Sequence, residues 1–243
     1  MNTFNIQSLT TEQKSTRRRI LEISYKENLS HLGSCFSSID LIDAVYKVKS
    51  KDEKFILSSG HAGIALYAIL EKNGFIKSSD IKTLHDHPDR SSKLGIDAST
   101  GSLGQGLPIA LGMAISDKNK NVYCLISDGE CTEGSIWEAL RIVSDNKITN
   151  LKIIINVNGW SAYDLVNPNS LMKRINGYGY RAKDINGHDI NAIIDALKSI
   201  KENGKTVIFA RTSTDQFPFL KGLDAHYYIM NESDYEKAVD LLK

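Results

Sequence analysis

Short apolar segments alternate with segments of helical spacing along most of the chain, and this alternation restricts the possible folds more than any other feature. Compact apolar runs at 54–57, 122–126 and 151–157 have the length of buried strands, and each is followed by a polar loop. The segments after the first two loops, which run to Leu70 and from Ser135 to Val143, have the apolar periodicity of helices. Strands and helices in this order predict an α/β fold, a doubly wound, mainly parallel sheet with helices on both faces.

The remainder of the chain continues this pattern. Its periodicity predicts, in chain order, helices over 11–27 and 37–47, a strand over 180–183, a helix over 189–201 and a strand over 206–210. No internal repeat, low-complexity tract or Pro/Gly-rich linker divides the sequence. We therefore expect residues 1–243 to form a single α/β domain.

The balance of charge limits the classes of partner. The 243 residues include 30 basic and 29 acidic side chains, with a formal net charge of +1. This balance argues against nucleic acid or an anionic membrane surface as a partner. Neither a signal peptide nor a membrane-spanning segment is apparent, so we expect a cytoplasmic protein. The three cysteines, at positions 35, 124 and 131, contain no CxxC pair and predict neither a disulfide framework nor a zinc site.

In an open parallel sheet, ligands bind at the carboxyl ends of the strands, so the loops at 58–63, 127–134 and 158–164 are candidate site segments. Asp128 follows a predicted strand and precedes a predicted helix, and Asn158 follows the next strand. Carboxylate and amide oxygens suit Mg²⁺, which completes its shell with phosphate oxygens and water. An Asp-Gly pair also fits a simple turn, so the pairing with Asn158 is what indicates a metal site.

Two further features accompany these loops. The segment GSLGQGL at 101–107 either brings backbone groups close to a flat ligand or permits tight helix packing. The six histidines have no metal-binding spacing, and each taken singly fits a structural role. Most of them fall in predicted loops, where imidazoles suit a site that handles phosphates and sugar hydroxyls. They are His31, His61, His85, His87, His188 and His226.

Taken in order, several segments of the chain resemble the N-terminal part of transketolase, a thiamine-diphosphate enzyme. The match runs from about His31 to His226, and its specificity rests on the order and spacing of the segments together. The segments are HLGSCFSSIDLI, LSSGHAGIALYAIL, HPD followed by GIDASTGSLGQGL, SDGECTEGSIWEAL and NVNGW.

The resemblance implies bound thiamine diphosphate, attached through a magnesium or calcium ion. By the family pattern, the metal ligands are the Asp128 carboxylate, the Asn158 side chain and the backbone carbonyl of Trp160. The same pattern places His61 and Gly129 against the diphosphate. It places the backbones of Gly101 and Leu103 against the aminopyrimidine ring. The resemblance further implies that His31, His87 and His226 line the substrate channel, and that Glu133 lies at a subunit interface.

The family's activity is transfer of a two-carbon ketol unit from a ketose to an aldose, with sugars or sugar phosphates as substrates. The carboxylate that activates the aminopyrimidine lies on the family's next domain, which we do not find in this chain. The resemblance therefore implies a split enzyme, in which a C-terminal transketolase-like subunit supplies the pyrimidine-binding domain. Because the family's cofactor lies between subunits, we expect a heterotetramer of two chains with two partners.

Three departures from the family pattern bear on substrate choice. Ser127 replaces a usual glycine, Asn156 replaces a usual aspartate, and TSTDQFPF at 212–219 replaces a lysine- and glycine-rich loop. A specialised ketol transferase of sugar biosynthesis, a deoxyxylulose-phosphate-synthase-like enzyme and a non-catalytic subunit that keeps the fold are therefore alternatives. A nucleotide-binding module ranks last, because the sequence lacks a GxxxxGK[ST] motif.

Overall fold

A computed structural model describes residues 4–200 and 205–243. Its helices are α1 (Thr11–Glu27), α2 (Leu32–Val48), α3 (Gly63–Lys72), α4 (Ser78–Ile81), α5 (Gly106–Ser116), α6 (Gly134–Asp145), α7 (Pro168–Gly177), α8 (Ile190–Ser199) and α9 (Glu232–Leu241). Its strands are β1 (Lys54–Leu57), β2 (Val122–Ser127), β3 (Leu151–Val157), β4 (Arg181–Asn186) and β5 (Thr206–Arg211).

The five strands form one sheet in the order β1-β2-β3-β5-β4, and every neighbouring pair is parallel. All residues of β2 and β3 are buried, which explains why these strands read as continuous apolar runs without alternation. The predicted strand positions and the parallel arrangement are confirmed.

Successive residues of each strand pack against opposite layers of helices. Leu125 of β2 and Ile154 of β3 belong to a core that also contains side chains of α1, α2, α3, α8 and α9. Their neighbours Ile126 and Ile155 belong to a second core, with α5, α6 and α7. Each fully buried aliphatic side chain stabilises the fold by about 1.5–3 kcal/mol. The doubly wound class predicted from the sequence is thus confirmed.

The two N-terminal helices differ in how well the sequence predicts their bounds. Thr10 and Gln13 form a capping box at the start of α1, and the predicted bounds agree with the structure. Helix α2 begins at Leu32, five residues before the predicted start at 37. Fourteen consecutive residues of α2, from Leu32 to Val45, are buried, so its first turns have no polar face to mark a helical period.

Helices α4, α5, α7 and α9 were not predicted. Helix α5 follows the glycine-rich segment. Because that segment has the composition of a loop, the start of the helix could not be recognised. Helix α7 is capped by Asn167, with Pro168 at its first position, in what was predicted to be loop. The predicted helix over 189–201 corresponds to α8, whose N-cap is Asp189, and Lys201 lies outside the described residues.

Because the strands are parallel, the loops that follow β1, β2, β3 and β5 leave the same edge of the sheet. These loops begin at Ser58, Asp128, Asn158 and Thr212. Within residues 4–200 and 205–243, no helix is both long and apolar enough to cross a bilayer.

Candidate active site

A cavity of about 290 Å³ opens at this edge of the sheet. Its wall contains nine of the eleven residues for which the sequence predicts a role in metal binding, cofactor binding, catalysis or the interface. Those nine are His31, His61, His87, Gly101, Leu103, Gly129, Asn158, Trp160 and His226. The other two are Asp128, which lies behind the wall, and Glu133, which lies outside it.

Asp128 is fully buried between the ends of β2 and β3, whereas a crevice-facing carboxylate was expected. Its Oδ1 accepts the N–H of Gly129 at 3.0 Å, and its Oδ2 accepts the N–H of Gly159 at 2.7 Å. Burial raises the pKa of this carboxyl to about 7, and the hydrogen bonds from the backbone offset the burial only in part. A divalent cation beside Asp128 would supply the positive charge that this buried carboxylate lacks.

The loops after β2 and β3 bring the remaining oxygen donors close to Asp128. The Asn158 Oδ1 accepts the Trp160 N–H at 2.9 Å, which holds the start of the second loop in a turn. A Cβ added at Gly129 would lie 3.2 Å from the Trp160 carbonyl oxygen and 2.9 Å from the Ser161 Cα. This close approach requires glycine at 129. The Asp128 carboxylate, the Asn158 amide and the Trp160 carbonyl thus belong to two adjoining loops, and oxygen donors of these types fit a hard divalent ion.

Glu130 is a further buried carboxylate, for which the sequence predicted no role. Its Oε1 accepts the Ser58 hydroxyl at 2.6 Å and the Gly104 N–H at 3.0 Å. Its Oε2 accepts the Ser127 N–H at 3.0 Å. One side chain therefore joins the loop after β1, the glycine-rich segment and the end of β2. A glutamate next to Gly129 carries no sequence signal that would distinguish it from an exposed one.

Four histidines from separate segments meet at the cavity. The ring centroid of His31 lies 4.6 Å from that of His226 and 5.6 Å from that of His87. The centroid of His61 lies 5.1 Å from that of His226. Burial and the neighbouring imidazoles lower the pKa of His61 to about 3 and that of His226 to about 4. These two rings are neutral at neutral pH and can accept protons or hydrogen bonds.

The glycine-rich segment also approaches this cluster. Gly101 has a φ of 147°, and a Cβ there would lie 2.6 Å from the His87 Cδ2. The backbone can pass over the His87 ring only because position 101 lacks a side chain. At Gly106, an added Cβ would lie 2.5 Å from the Ser58 Cα. Both interpretations of the segment, approach to the site and tight helix packing, therefore apply.

The segment at 212–219 departs from the family pattern, and most of it stays out of the cavity wall. Phe217 is 3% exposed, and its ring packs 4.8 Å from that of Phe36 in the core, so it adds no bulk to the cavity. Thr214 is the residue of this segment that lines the cavity. An effect of this loop on substrate choice therefore acts through Thr214.

The two other departures from the family pattern, Asn156 and Ser127, form hydrogen bonds with their neighbours. The buried Asn156 amide donates to the Ser37 hydroxyl at 2.9 Å and accepts the Thr212 hydroxyl at 2.5 Å, so it adds no second negative charge beside Asp128. Ser127 lines the cavity, and its hydroxyl accepts the Glu130 N–H at 3.2 Å.

Among the residues outside the cavity, Glu133 and His188 have clear packing environments. Glu133 is half-buried at the start of α6, and a Cβ added at Gly104 would lie 2.6 Å from the Glu133 Cβ. His188 bridges two segments, since its Nδ1 lies 2.9 Å from the Asp40 Oδ2 and its Nε2 accepts the Ser213 N–H at 3.0 Å. His188 thus has a structural role next to the start of α8, and it also holds the 212–219 segment in place.

Comparisons with known proteins agree with this geometry. The family model for the transketolase thiamine diphosphate binding domain matches residues 43–217. The whole chain is 30% identical to one subunit of the apulose-4-phosphate transketolase of Actinobacillus succinogenes, over 99% of that protein. It is 29% identical to the protein of the same name from Phocaeicola vulgatus, with 97% of this chain and 94% of that protein covered.

Among solved structures, transketolase from Campylobacter jejuni has a TM-score of 0.85 to this chain at 28% identity. The match covers 98% of this chain and 43% of the Campylobacter chain, so the present chain spans less than half of that enzyme.

The parallel fold, with oxygen donors and histidines at one edge of the sheet, defines the class of thiamine-diphosphate-binding α/β domains. Within that class, the chain belongs to the transketolase family of transferases. The resemblance noted in the sequence is confirmed, as is thiamine diphosphate with a divalent metal ion as the cofactor of the family.

Proposed function

We propose that this chain is the diphosphate-binding subunit of a two-chain transketolase-like enzyme. The enzyme transfers a two-carbon ketol unit from a ketose, or its phosphate, to an aldose. The observation that carries this proposal is the arrangement at the cavity, where four histidines from separate segments face the loops that contain Asp128 and Asn158. Residues 1–243 form one domain in this proposal, and the enzyme works in the cytoplasm.

In the proposed site, Asp128, the Asn158 side chain and the Trp160 carbonyl hold Mg²⁺ or Ca²⁺. His61 and Gly129 contact the diphosphate, and the backbone groups of two residues contact the aminopyrimidine. Those two residues are Gly101 and Leu103. When bound, thiamine diphosphate supplies the carbon nucleophile for breaking and forming carbon–carbon bonds.

The chain's own contribution to the chemistry is to position substrate hydroxyls and to move protons. His31, His87 and His226 act on the substrate in this proposal. The lowered pKa of His31 and His226 keeps these rings neutral near pH 7, so that each can accept a hydroxyl proton. The largest cause of both shifts is burial, which also keeps water away from the reacting atoms.

The remaining part of the active site is contributed by a partner subunit. The two relatives that match along their length are each named as one subunit of a transketolase, which supports an assembly of unlike subunits. In our proposal the partner carries the pyrimidine-binding domain, Glu133 lies at the interface, and two chains assemble with two partners.

The relatives also suggest a substrate. Both are named for apulose 4-phosphate, so this sugar phosphate is the first donor to test, ahead of the common pentose phosphates. Thr214 and Tyr227 line the cavity and are the side chains through which this chain would influence that choice.

The direct test is reconstitution with the product of an adjacent gene that resembles the pyrimidine-binding half of transketolase. The mixture, supplied with thiamine diphosphate and Mg²⁺, should transfer a ketol unit from apulose 4-phosphate or another ketose phosphate to an aldose acceptor. Product formation is followed by mass spectrometry. Each chain alone, and the mixture with EDTA, should be inactive. A mixture that binds no cofactor would contradict the proposal.

A further inference from the structure

Asp86 places one carboxylate between two of the four histidines at the cavity. Its Oδ1 lies 3.0 Å from the Nδ1 of His87, within hydrogen-bond distance. Its Oδ2 lies 3.6 Å from the Nε2 of His31, which is an electrostatic contact rather than a hydrogen bond. The two oxygens of Asp86 thus face two different imidazoles, both of which line the cavity.

The backbone around Asp86 is fixed by its neighbours. The Tyr67 hydroxyl, from α3, donates to the carbonyl of His85 at 2.8 Å. A Cβ added at Gly63 would lie 2.3 Å from the Asp86 carbonyl oxygen, so the first residue of α3 packs directly on this segment. On the other side, the Thr100 N–H donates to the Pro88 carbonyl at 3.2 Å. These contacts determine where the Asp86 carboxylate lies.

The contact between Asp86 and His87 determines which nitrogen of His87 carries the proton. A carboxylate only accepts hydrogen bonds, so the Nδ1 of His87 is the protonated nitrogen. In the neutral ring, Nε2 is then an acceptor. The Cδ2–Nε2 edge of this ring faces Gly101, since a Cβ added there would lie 2.6 Å from Cδ2 and 3.5 Å from Nε2.

His31 has a buried ring nitrogen without a partner. Its side chain is 9% exposed, and its Nδ1 has no hydrogen-bond partner among the residues that the structure describes. The 3.6 Å contact with Asp86 is not a hydrogen bond and does not fix the tautomer of His31. A substrate hydroxyl, which can both donate and accept, would give this buried nitrogen the partner that it lacks.

The groups around His31 have opposing effects on its pKa. Burial lowers the pKa of His31, the neighbouring charge of His87 lowers it further, and the Asp86 carboxylate opposes both. Burial alone would raise the pKa of Asp86, but the hydrogen bond and charge of His87 outweigh it, and the pKa is lowered. The other titratable groups that act on these three residues are His61, His226, Tyr67 and Cys35. Burial raises the pKa of the Tyr67 hydroxyl and of the Cys35 thiol, so both stay neutral near pH 7.

We infer that Asp86 is a positioning residue that holds His87 in the Nδ1-protonated form, so that the Nε2 of His87 presents an acceptor to a substrate hydroxyl, and that its charge helps to orient His31. The inference rests on the proposed function. In the proton-transfer step, the substrate O–H bond breaks, its proton forms an N–H bond at His87 Nε2, and the resulting imidazolium lies beside the Asp86 carboxylate. The proton returns by the same route to the product alkoxide.

The test compares Asp86→Asn with Asp86→Glu and with a control, Asp89→Asn. Asp89 is an exposed carboxylate of the same segment that lies three residues away and bonds to Ser99. One measurement is the pH dependence of kcat/KM in the assembled enzyme. The other is the tautomer of the His87 ring in the full-length chain by ¹⁵N NMR, which does not require activity.

Asp86→Asn should lower kcat/KM about tenfold, mainly through kcat, because the ring loses its fixed tautomer. Removal of the carboxylate should also allow part of the His87 population to carry its proton on Nε2 instead of Nδ1. Asp86→Glu should restore part of both effects, and Asp89→Asn should leave both unchanged.

An Asp86→Asn chain with the wild-type tautomer of His87 would overturn the inference. An unchanged profile in an active assembly would also overturn it. If the wild-type assembly transfers no ketol unit, the proposed function fails, while the NMR measurement still decides whether Asp86 controls His87.

Discussion

Asp128 and Glu130 are two fully buried carboxyl side chains in one short segment, and they differ in what surrounds them. Glu130 accepts hydrogen bonds from two backbone N–H groups and the Ser58 hydroxyl, which join three loops. Among the residues that the structure describes, Asp128 accepts hydrogen bonds from backbone N–H groups, and it lies where the Trp160 carbonyl approaches Gly129. Glu130 therefore maintains the shape of the site, whereas the environment of Asp128 is compatible with the metal-binding role proposed for it.

The metal assignment predicts the behaviour of Asp128→Asn. This near-isosteric change removes the charge that would bind the cation, so Mg²⁺-dependent binding of thiamine diphosphate to the assembled enzyme should weaken at least tenfold, roughly the loss typical of damaged metal sites. Calorimetric titration with and without Mg²⁺ measures the effect.

The control for this experiment is Asp164→Asn, in the next loop. Asp164 is exposed, and the variant should bind cofactor as the wild type does. Wild-type affinity in Asp128→Asn, with the fold intact by circular dichroism, would show that another group binds the metal.

At the scale of elements, a buried polar network connects α1 and α2 to the segment that carries Thr214. Arg17 of α1 and Asp40 of α2 form two hydrogen bonds, of 3.0 and 2.6 Å, and both side chains are nearly or fully buried. The Arg17 Nε also donates to the Gln216 Oε1 at 2.8 Å. Together with the contacts of His188, these bonds determine the path of the loop after β5.

The network predicts a large effect for Asp40→Asn, because the substitution leaves the Arg17 guanidinium buried without its counter-charge. The free energy of unfolding should fall by about 3 kcal/mol, as measured by urea denaturation. Glu22→Gln in α1 is the control, because Glu22 is half-exposed and pairs with Arg19 and Lys26. Its loss should be about 1 kcal/mol or less. Equal losses for the two variants would contradict this view of the network.

The same pair predicts a pH dependence. Burial alone would raise the pKa of Asp40, but the charge of Arg17 and the hydrogen bonds of His188 and Arg17 hold it well below its usual range. The contribution of Asp40 to stability is therefore complete above about pH 4 and is lost as the pH falls towards the folded-state pKa. The Asp40→Asn variant should therefore lack the part of the acid-induced loss of stability that comes from Asp40.

At the scale of the whole molecule, the proposal requires a partner that completes the cavity. Relatives that are named as subunits and are matched over 94% or more of their length agree with a division of the enzyme between two polypeptides. Glu133 stands at the start of α6, half-buried in the chain on its own, and is the residue through which this interface can be tested.

Glu133→Lys should weaken the two-plus-two assembly, because it reverses a charge at the proposed interface. Light scattering of the mixed subunits should show smaller species, and ketol transfer should fall in parallel. Glu138→Lys is the control, since Glu138 is exposed on the same helix and pairs with Arg141. An unchanged assembly in Glu133→Lys would remove Glu133 from the interface.

The amino-acid sequence alone determined the fold class, and nine of the eleven site residues that it predicted lie in the cavity wall. Strands buried on both faces appear as apolar runs, and a parallel sheet places the following loops at one edge, so His61, Asp128 and Asn158 could be assigned to one site from the order of the residues. The order of the family-like segments added the cofactor. These inferences depend on the local pattern of apolar residues and on the order of the elements. Both can be read directly from the sequence.

Only the tertiary structure decided the contacts between residues that lie far apart in sequence. The sequence contained no sign that Glu130 joins three loops, that Asp86 faces both His31 and His87, or that Phe217 packs in the core. Helix α2 began earlier than expected for the same reason, since burial on every side removes the period that marks a helix. Burial and hydrogen-bond partners depend on which elements pack together, and the free energies of these contacts are properties of the folded chain rather than of any one segment.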